Sequence, residues 1–292
     1  MKVAIYGTYE IEKSKLPIEE LFGYLINNHF EMVVEQRFLQ AINTMTSITN
    51  NFKQFNDFED LNQSFDAMIT VGGDGTILKA ITFVRHLNIP VLGINTGRLG
   101  FLATVQKTEI KQAIDALMHH NYSINERELL KVTTNNADFN VYNFALNEVA
   151  INRKDSTSMI VINTYVDDEF LTSYWADGII VATPTGSTGY SLSCGGPVIT
   201  PSAKSMVITP IAPHNLNVRP LVIPMESKIK LQMSGRTNQF LLSLDSRIFT
   251  VEEHTEIYIQ KADFKINMIQ LDHQTFLKTL RQKLLWGSDT RN

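Results

Sequence analysis

An apolar run from Ala67 to Val71 ends in Gly72, Gly73, Asp74, Gly75 and Thr76, and leads at once into helix-like text from Thr76 to Leu87. A second apolar run, Pro90 to Ile94, follows. Strand, glycine turn, helix and strand in such a short span make a βαβ unit, which commits this part of the chain to a parallel sheet with helices against it. Upstream, Val3 to Tyr6 reads as another strand. Pro17 to Asn28 carries Ile18, Leu21, Phe22 and Leu25 at helical spacing, with Pro17, Glu19 and Glu20 suited to a first turn. Ile110, Ile114 and Leu117 space a further helix, which ends near the polar residues His119 to Asn121. The expected first domain is α/β with a Rossmann-like parallel sheet.

From Glu128 to about Ile266 the pattern changes to short β runs: Tyr142 to Ile151, Met159 to Tyr165, Phe170 to Tyr174, Gly178 to Ala182, Ile229 to Met233, Phe240 to Leu244 and Glu256 to Ile259. Val166, Asp167 and Asp168 predict a hairpin turn. The spacing predicts a β-rich, sandwich-like second domain with a helical insertion near Thr188 to Cys194. The tail from Asp272 reads as a capped amphipathic helix with Phe276, Leu277, Leu280 and Leu284 on one side.

Charge and cysteine count exclude several function classes. With 26 basic and 30 acidic residues the net charge is -4, which gives no field for holding nucleic acid or an anionic membrane non-specifically. No apolar run approaches the length of a membrane span, and Met1 to Gly7 lacks the apolar core of a signal peptide. Cys194 is the only cysteine, so neither a disulfide framework nor a multi-cysteine zinc site is available, and a reducing cytoplasmic setting fits. A small apolar filler is the simplest reading of that residue.

The glycine turn stands where backbone N–H groups and a helix dipole can hold phosphate oxygens. An aspartate there would repel phosphate unless it faced a metal ion or a hydroxyl, so Asp74 is the candidate general base or Mg²⁺ contact; the plain alternative is a helix cap. Lys79, about one turn on, can add positive charge. Neither G-x-x-x-x-G-K-[ST] nor the third glycine of a dinucleotide fingerprint is present, which excludes a P-loop NTPase and an ordinary dehydrogenase. A second small-residue stretch, Thr183 to Pro197, suits close backbone approach to a polar ligand with Tyr190 flanking a ring, or else a structural turn. Asn147 and Glu148 interrupt an apolar run, as ribose partners or as a strand end facing water.

These motifs together resemble the NAD kinases. The ordered set is Gly72 to Thr76, Asn95 to Leu102, Asn147 with Glu148, Asp177 with Gly178, Thr183 to Pro197, Ala212 to Pro220, and Asp245 with Ser246. The resemblance implies an ATP-dependent enzyme that phosphorylates NAD to NADP with Mg²⁺ or another divalent metal, assembled as a homo-oligomer, often a tetramer. It also implies that the last helix returns to the first domain, so that residues 1–125 and 272–292 form the α/β domain and 126–271 the β-rich, dinucleotide-binding one. By matching positions, Asp74 would activate the 2′-hydroxyl of the adenosine ribose. Gly75 and Lys79 would line the phosphate region, and Phe101 of the second motif is a further binding position. Asn147 and Glu148 would bind ribose or adenine. Asp177 with Thr188, Gly189, Tyr190, Ser191, Leu192 and Ser193 would hold the dinucleotide, with Thr185 and Ala212 close by. Asp245 falls where the family has an acidic residue near a subunit interface. Gly189 and Arg247 depart from the alanine and glutamine of many members; Arg247 is read either as a phosphate contact or as the partner of a neighbouring acid. Other expectations compatible with the glycine turn are a lipid or sugar kinase and a non-catalytic dinucleotide-binding regulatory protein.

Overall fold

The computed structural model describes residues 1–8, 12, 14–48, 51–135, 142–154, 158–236 and 238–287. Two units divide the chain: Met1–Glu126 with Ile266–Asn292, and Arg127–Lys265. The first unit begins β1 (Lys2–Gly7), α1 (Lys15–Asn27), β2 (Glu31–Glu35), α2 (Gln36–Met45), β3 (Lys53–Phe55), β4 (Ala67–Gly72), α3 (Asp74–Val84), β5 (Val91–Asn95), β6 (Val105–Gln106), α4 (Ile110–Met118) and β7 (Ser123–Arg127). β1, β4 and β5 run parallel, with Ile5 opposite Ile69 and Ile69 opposite Leu92. Their continuous apolar text follows from burial: Val3, Ile5, Ile69, Val71, Leu92 and Ile94 join one core with residues of α1, α2 and α4, while α3 packs against β4 and β5. α1 starts two residues ahead of Pro17, so Glu19 and Glu20 fall beyond its first turn. Proline is tolerated there because the early N–H groups of a helix have no internal partner.

The second unit holds β8 (Leu130–Thr134), β9 (Phe144–Ala145), β10 (Glu148–Arg153), β11 (Ile160–Val166), β12 (Glu169–Ala176), β13 (Gly178–Ala182), α5 (Tyr190–Ser193), β14 (Ser205–Ile211), β15 (Leu221–Pro224), β16 (Ile229–Ser234), β17 (Gln239–Leu244), β18 (Arg247–Glu252) and β19 (Glu256–Lys261). Among the described residues these strands make two sheets, β15-β14-β13-β10-β17-β18 and β12-β11-β16-β19-β8-β9. Alternate residues of both sheets, among them Ile229, Leu231 and Met233 of one and Phe240, Leu242 and Leu244 of the other, share a single core, as a sandwich requires. Asp167 and Asp168, both at positive φ, close the β11–β12 hairpin in two residues.

The chain then returns to the first unit as β20 (Ile266–Gln270) and α6 (Phe276–Leu284). β20 lies parallel to β5 and completes the order β3-β2-β1-β4-β5-β20-β7. Three local readings change. Segment 266–271, taken from sequence as β-rich text, supplies a strand to the parallel sheet. The run Tyr142 to Ile151 is two strands in different sheets, broken at Leu146 and Asn147. The cap of α6 is Thr275, whose hydroxyl accepts from Lys278 N at 3.2 Å, and Leu277 is 60% exposed while Leu280 is buried. Among the described residues no helix is long and apolar enough to cross a membrane.

Phe240 is wholly buried between the two sheets. Phe240→Ala is expected to lower the stability of the second unit by about 3–5 kcal/mol, measured by urea titration of the intact chain.

Candidate functional site

In the first unit, β4 passes into α3 through a glycine corner. Gly72 has φ +153°, and a Cβ there would lie 2.1 Å from Thr76 Oγ1, so both backbone and space demand glycine. Gly73 occupies the cap position in extended conformation without a side-chain cap, and Asp74 is the first helical residue. The Asp74 carboxylate is not a cap. It turns to the loop after β5, where Oδ2 accepts from Phe101 N at 2.8 Å and Oδ1 accepts from Leu102 N at 3.0 Å and Ala103 N at 2.9 Å. Gly73, Gly75 and Lys79 are exposed at the start of the helix, where amide groups without an intrahelical partner and the helix dipole favour an anion. The Phe101 ring lies 6.3 Å from that of Phe276 in α6, so its backbone serves Asp74 while its side chain meets the last helix.

In the second unit, a different aspartate organises a different loop. Asp245 sits in the β17–β18 turn at φ +53°, with its side chain fully excluded from solvent. Its Oδ2 accepts from Leu146 N at 3.0 Å; its Oδ1 accepts from Asn147 N at 2.8 Å and Glu148 N at 3.2 Å. These amides are drawn off the sheet ladder, which is why the strand run breaks at this point. Arg247 lies 3.6 Å from Asp245 and donates to the carbonyls of Leu244, Tyr142 and Phe144. Thr183 holds the same loop from beyond β13: its Oγ1 donates to Leu146 O at 2.6 Å and its N–H to Asn147 O at 2.9 Å. Gly186 must lack a side chain, since a Cβ there would stand 2.0 Å from Asn147 O.

The result is a loop with its backbone satisfied and two side-chain acceptors left over. Asn147 Oδ1 and Glu148 Oε2 are buried with no hydrogen-bond partner among the described residues. Burial, and then the charge of Asp245, push the Glu148 carboxyl up to about 8. At neutral pH it is therefore largely a carboxylic acid, able both to donate and to accept. Asp245 is also raised by burial, opposed by its three N–H donors and Arg247. Gly189 flanks the pair, with its missing Cβ only 3.2 Å from Glu148 Oε2, so an alanine would crowd that oxygen here. Tyr190 is exposed, and its phenol is raised by burial and then by Cys194, Asp177 and Glu148, which stand near it.

Other residues singled out from sequence have different surroundings. Asp177 pairs with Arg153 at 3.2 Å. Ser191 is wholly buried, its hydroxyl 2.8 Å from Thr209 Oγ1; Thr185 is buried too, and its carbonyl accepts from Thr188 Oγ1 at 3.2 Å. Leu192 is half-buried, Ser193 exposed, and Ala212 exposed at φ +44°. Sequence reasoning named Asn95 and Gly100 only as parts of a motif and missed what they do to Asp74. The signal available was their position in the loop that follows a βαβ strand.

Two outcomes follow from this geometry. Asp245→Ala leaves three N–H groups without their acceptor and removes the charge beside Arg247, and should cost about 3 kcal/mol in urea unfolding. For Glu148 the folded value lies above the ordinary 4.5, so the native state keeps a proton that the unfolded chain has released, and stability falls as pH rises from about 4.5 to about 8. Glu148→Gln removes that loss: its Tm should gain on wild type across this window and the gain should level off above it.

Two family models match the chain in order. The model of the ATP-NAD kinase N-terminal domain matches residues 11–122, and that of the ATP-NAD kinase C-terminal domain matches residues 146–271. The NAD kinases of Christiangramia forsetii and Flavobacterium johnsoniae are each 51% identical over 294 residues, covering 100% of both chains, and that of Bacteroides fragilis is 42% identical over 292 residues with the same coverage. Among solved structures, an NAD kinase from Archaeoglobus fulgidus in complex with ATP aligns with TM-score 0.75 and 26% identity over 98% of this chain and 99% of that one. Yeast NADH kinase complexed with NADH aligns with TM-score 0.89 over 100% of this chain and 89% of that one; at 24% identity this is a likeness of fold. With both family models matched in order and full-length relatives at 51% identity, the chain belongs to the ATP-NAD kinase family.

Proposed function

We propose that this chain transfers the γ-phosphoryl group of ATP to the 2′-hydroxyl of the adenosine ribose of NAD, giving NADP. The observation that carries the reading is the Asp74 carboxylate: it is held at the N-terminus of α3 by three amides, yet Oδ2 accepts only one of them and keeps a lone pair for a hydroxyl proton. Asp74 takes the proton of the 2′-hydroxyl as its oxygen bonds to the γ-phosphorus, and the bond from that phosphorus to the β–γ bridging oxygen breaks to release ADP. The amides of Gly73 and Gly75 and the dipole of α3 hold phosphate oxygens, and Lys79 adds charge. Asn147 and Glu148 offer their unpartnered oxygens to hydroxyl or amino groups of the nucleoside, and Tyr190 flanks a ring. The divalent ion of this reading is part of the substrate, carried on the triphosphate, where it neutralises phosphate charge. A homo-oligomer in a reducing cytoplasm completes the proposal.

The test is NADP formation by the purified chain with NAD, ATP and Mg²⁺, followed through an NADP-specific dehydrogenase, beside a metal-free control and Asp74→Asn. Loss of a positioned base should lower turnover by about 10²- to 10⁴-fold in a variant that stays folded by circular dichroism. A variant near the wild-type rate would remove Asp74 from the role. Wild type that binds NAD by calorimetry but forms no product with any donor would leave a regulatory dinucleotide binder, and preference for a lipid or sugar in an acceptor panel would leave the other kinase class.

A further inference from the structure

The loop that receives Asp74 is shaped by one side chain and admitted by one missing one. Asn95, the last residue of β5, is 3% exposed and commits its whole amide to this loop. Its Oδ1 accepts from Gly97 N at 2.8 Å, while its Nδ2 donates to Arg98 O at 2.8 Å and Ala103 O at 3.3 Å. Aspartate offers acceptors only and would set a carboxylate against two carbonyl oxygens, so the amide is chemically required. At Gly100, a Cβ would lie 1.9 Å from Asp74 Oδ1 and 2.6 Å from its Cγ, closer than any real contact. The far end of the loop is braced from the segment before α6, where Gln274 accepts from Thr104 Oγ1 at 2.6 Å and donates to Thr104 O at 3.0 Å. Leu102 and Ala103 are buried, so their amides face the carboxylate with little competition from water.

From this arrangement we infer that Asn95 and Gly100 are positioning residues for the Asp74 carboxylate: Asn95 turns the amides of residues 101–103 toward it, and Gly100 leaves the space it occupies. The inference rests on the reading of Asp74 as the base. A carboxylate fixed by three donors has one rotamer, and hence one direction for its remaining lone pair. Displacement of a reacting group by about 1 Å is enough to cost about 100-fold in rate. Neither residue needs to touch substrate, so the effect belongs in kcat and not in KM.

The experiment is a double-mutant cycle on the full chain. Gly100→Ala and Asn95→Ala are each made in the wild type and in Asp74→Ala, with kcat, KM for NAD and ATP, and Tm measured for every variant. In the wild type each substitution should lower kcat about 100-fold with KM for both substrates little changed. In the Asp74→Ala background neither should lower the residual rate further, because each acts through a carboxylate that is gone. The Tm gives a readout independent of turnover: Gly100→Ala lowers it in the wild type, but not in the Asp74→Ala background, where the absent carboxylate leaves room for the methyl group. Equal losses of kcat in both backgrounds, a rise in KM at unchanged kcat, or an undiminished Tm penalty of Gly100→Ala in the Asp74→Ala background would overturn the inference. Wild type that makes no NADP would defeat the kinase reading separately, and the Tm cycle would still decide whether position 100 is coupled to the carboxylate.

Discussion

A carboxylate that accepts three consecutive backbone N–H groups dictates the path of the loop supplying them, since each donor fixes one peptide plane. Each unit of this chain is organised at one such point. Asp74 gathers the amides of Phe101, Leu102 and Ala103, and Asp245 those of Leu146, Asn147 and Glu148. Phe101 to Ala103, Leu146 and Asn147 lie outside the helices and strands and Glu148 only opens β10, so without the carboxylate these amides would have to reach water or lose their partners. The regular elements around them serve as rigid mounts: β4 and β5 beneath the first loop, and the β17–β18 turn and β13 beside the second.

The two carboxylates do different work because their surroundings differ. Asp74 is half-exposed at a helix N-terminus, where an anion is welcome and a lone pair stays accessible. Asp245 is fully enclosed, with its acceptor capacity spent on the loop and on Arg247, so its place in the family-like pattern is explained by the loop it holds. The cost of enclosing it appears next door. Glu148 lies in a poorly solvated position beside that charge and keeps its proton, and Asn147 is left with an unpartnered oxygen. Polar groups left unsatisfied in a folded chain are sustained by the packing around them, here the sandwich core on which β10 and β17 lie.

Much of the scaffold was legible in the sequence. The βαβ signature at residues 67–94, the helical spacing of α1 and α4, the Asp167–Asp168 hairpin and several sandwich strands follow from periodicity and turn chemistry alone. Strands such as β14 and β18 were missed because their apolar and polar residues do not alternate cleanly, and β3 and β6 because they are too short to carry a period. Segment 266–270 reads like any other short strand. Nothing local says that it pairs beside β5, a partner far back in the chain. Leu277 shows the limit of counting apolar residues on a helix, since only contacts across space distinguish it from Leu280.

By itself the sequence determined which residue types stand where chemistry is needed: glycines flanking an aspartate at the head of a helix, an asparagine and a glutamate interrupting an apolar run, and a stretch of small hydroxyls beside a tyrosine. Residue type and local spacing are properties of the chain, and they are sufficient to define turns and the ordered motifs of a family. Only the tertiary structure decided the roles: that Asp74 is seated by a loop and does not cap its helix, that Asp245 and Arg247 hold a loop together, that Ser191 faces Thr209, and that Glu148 keeps its proton. Those outcomes depend on burial and on partners many residues away in sequence, and both desolvation and hydrogen bonding act over a few ångströms of space whatever the separation along the chain.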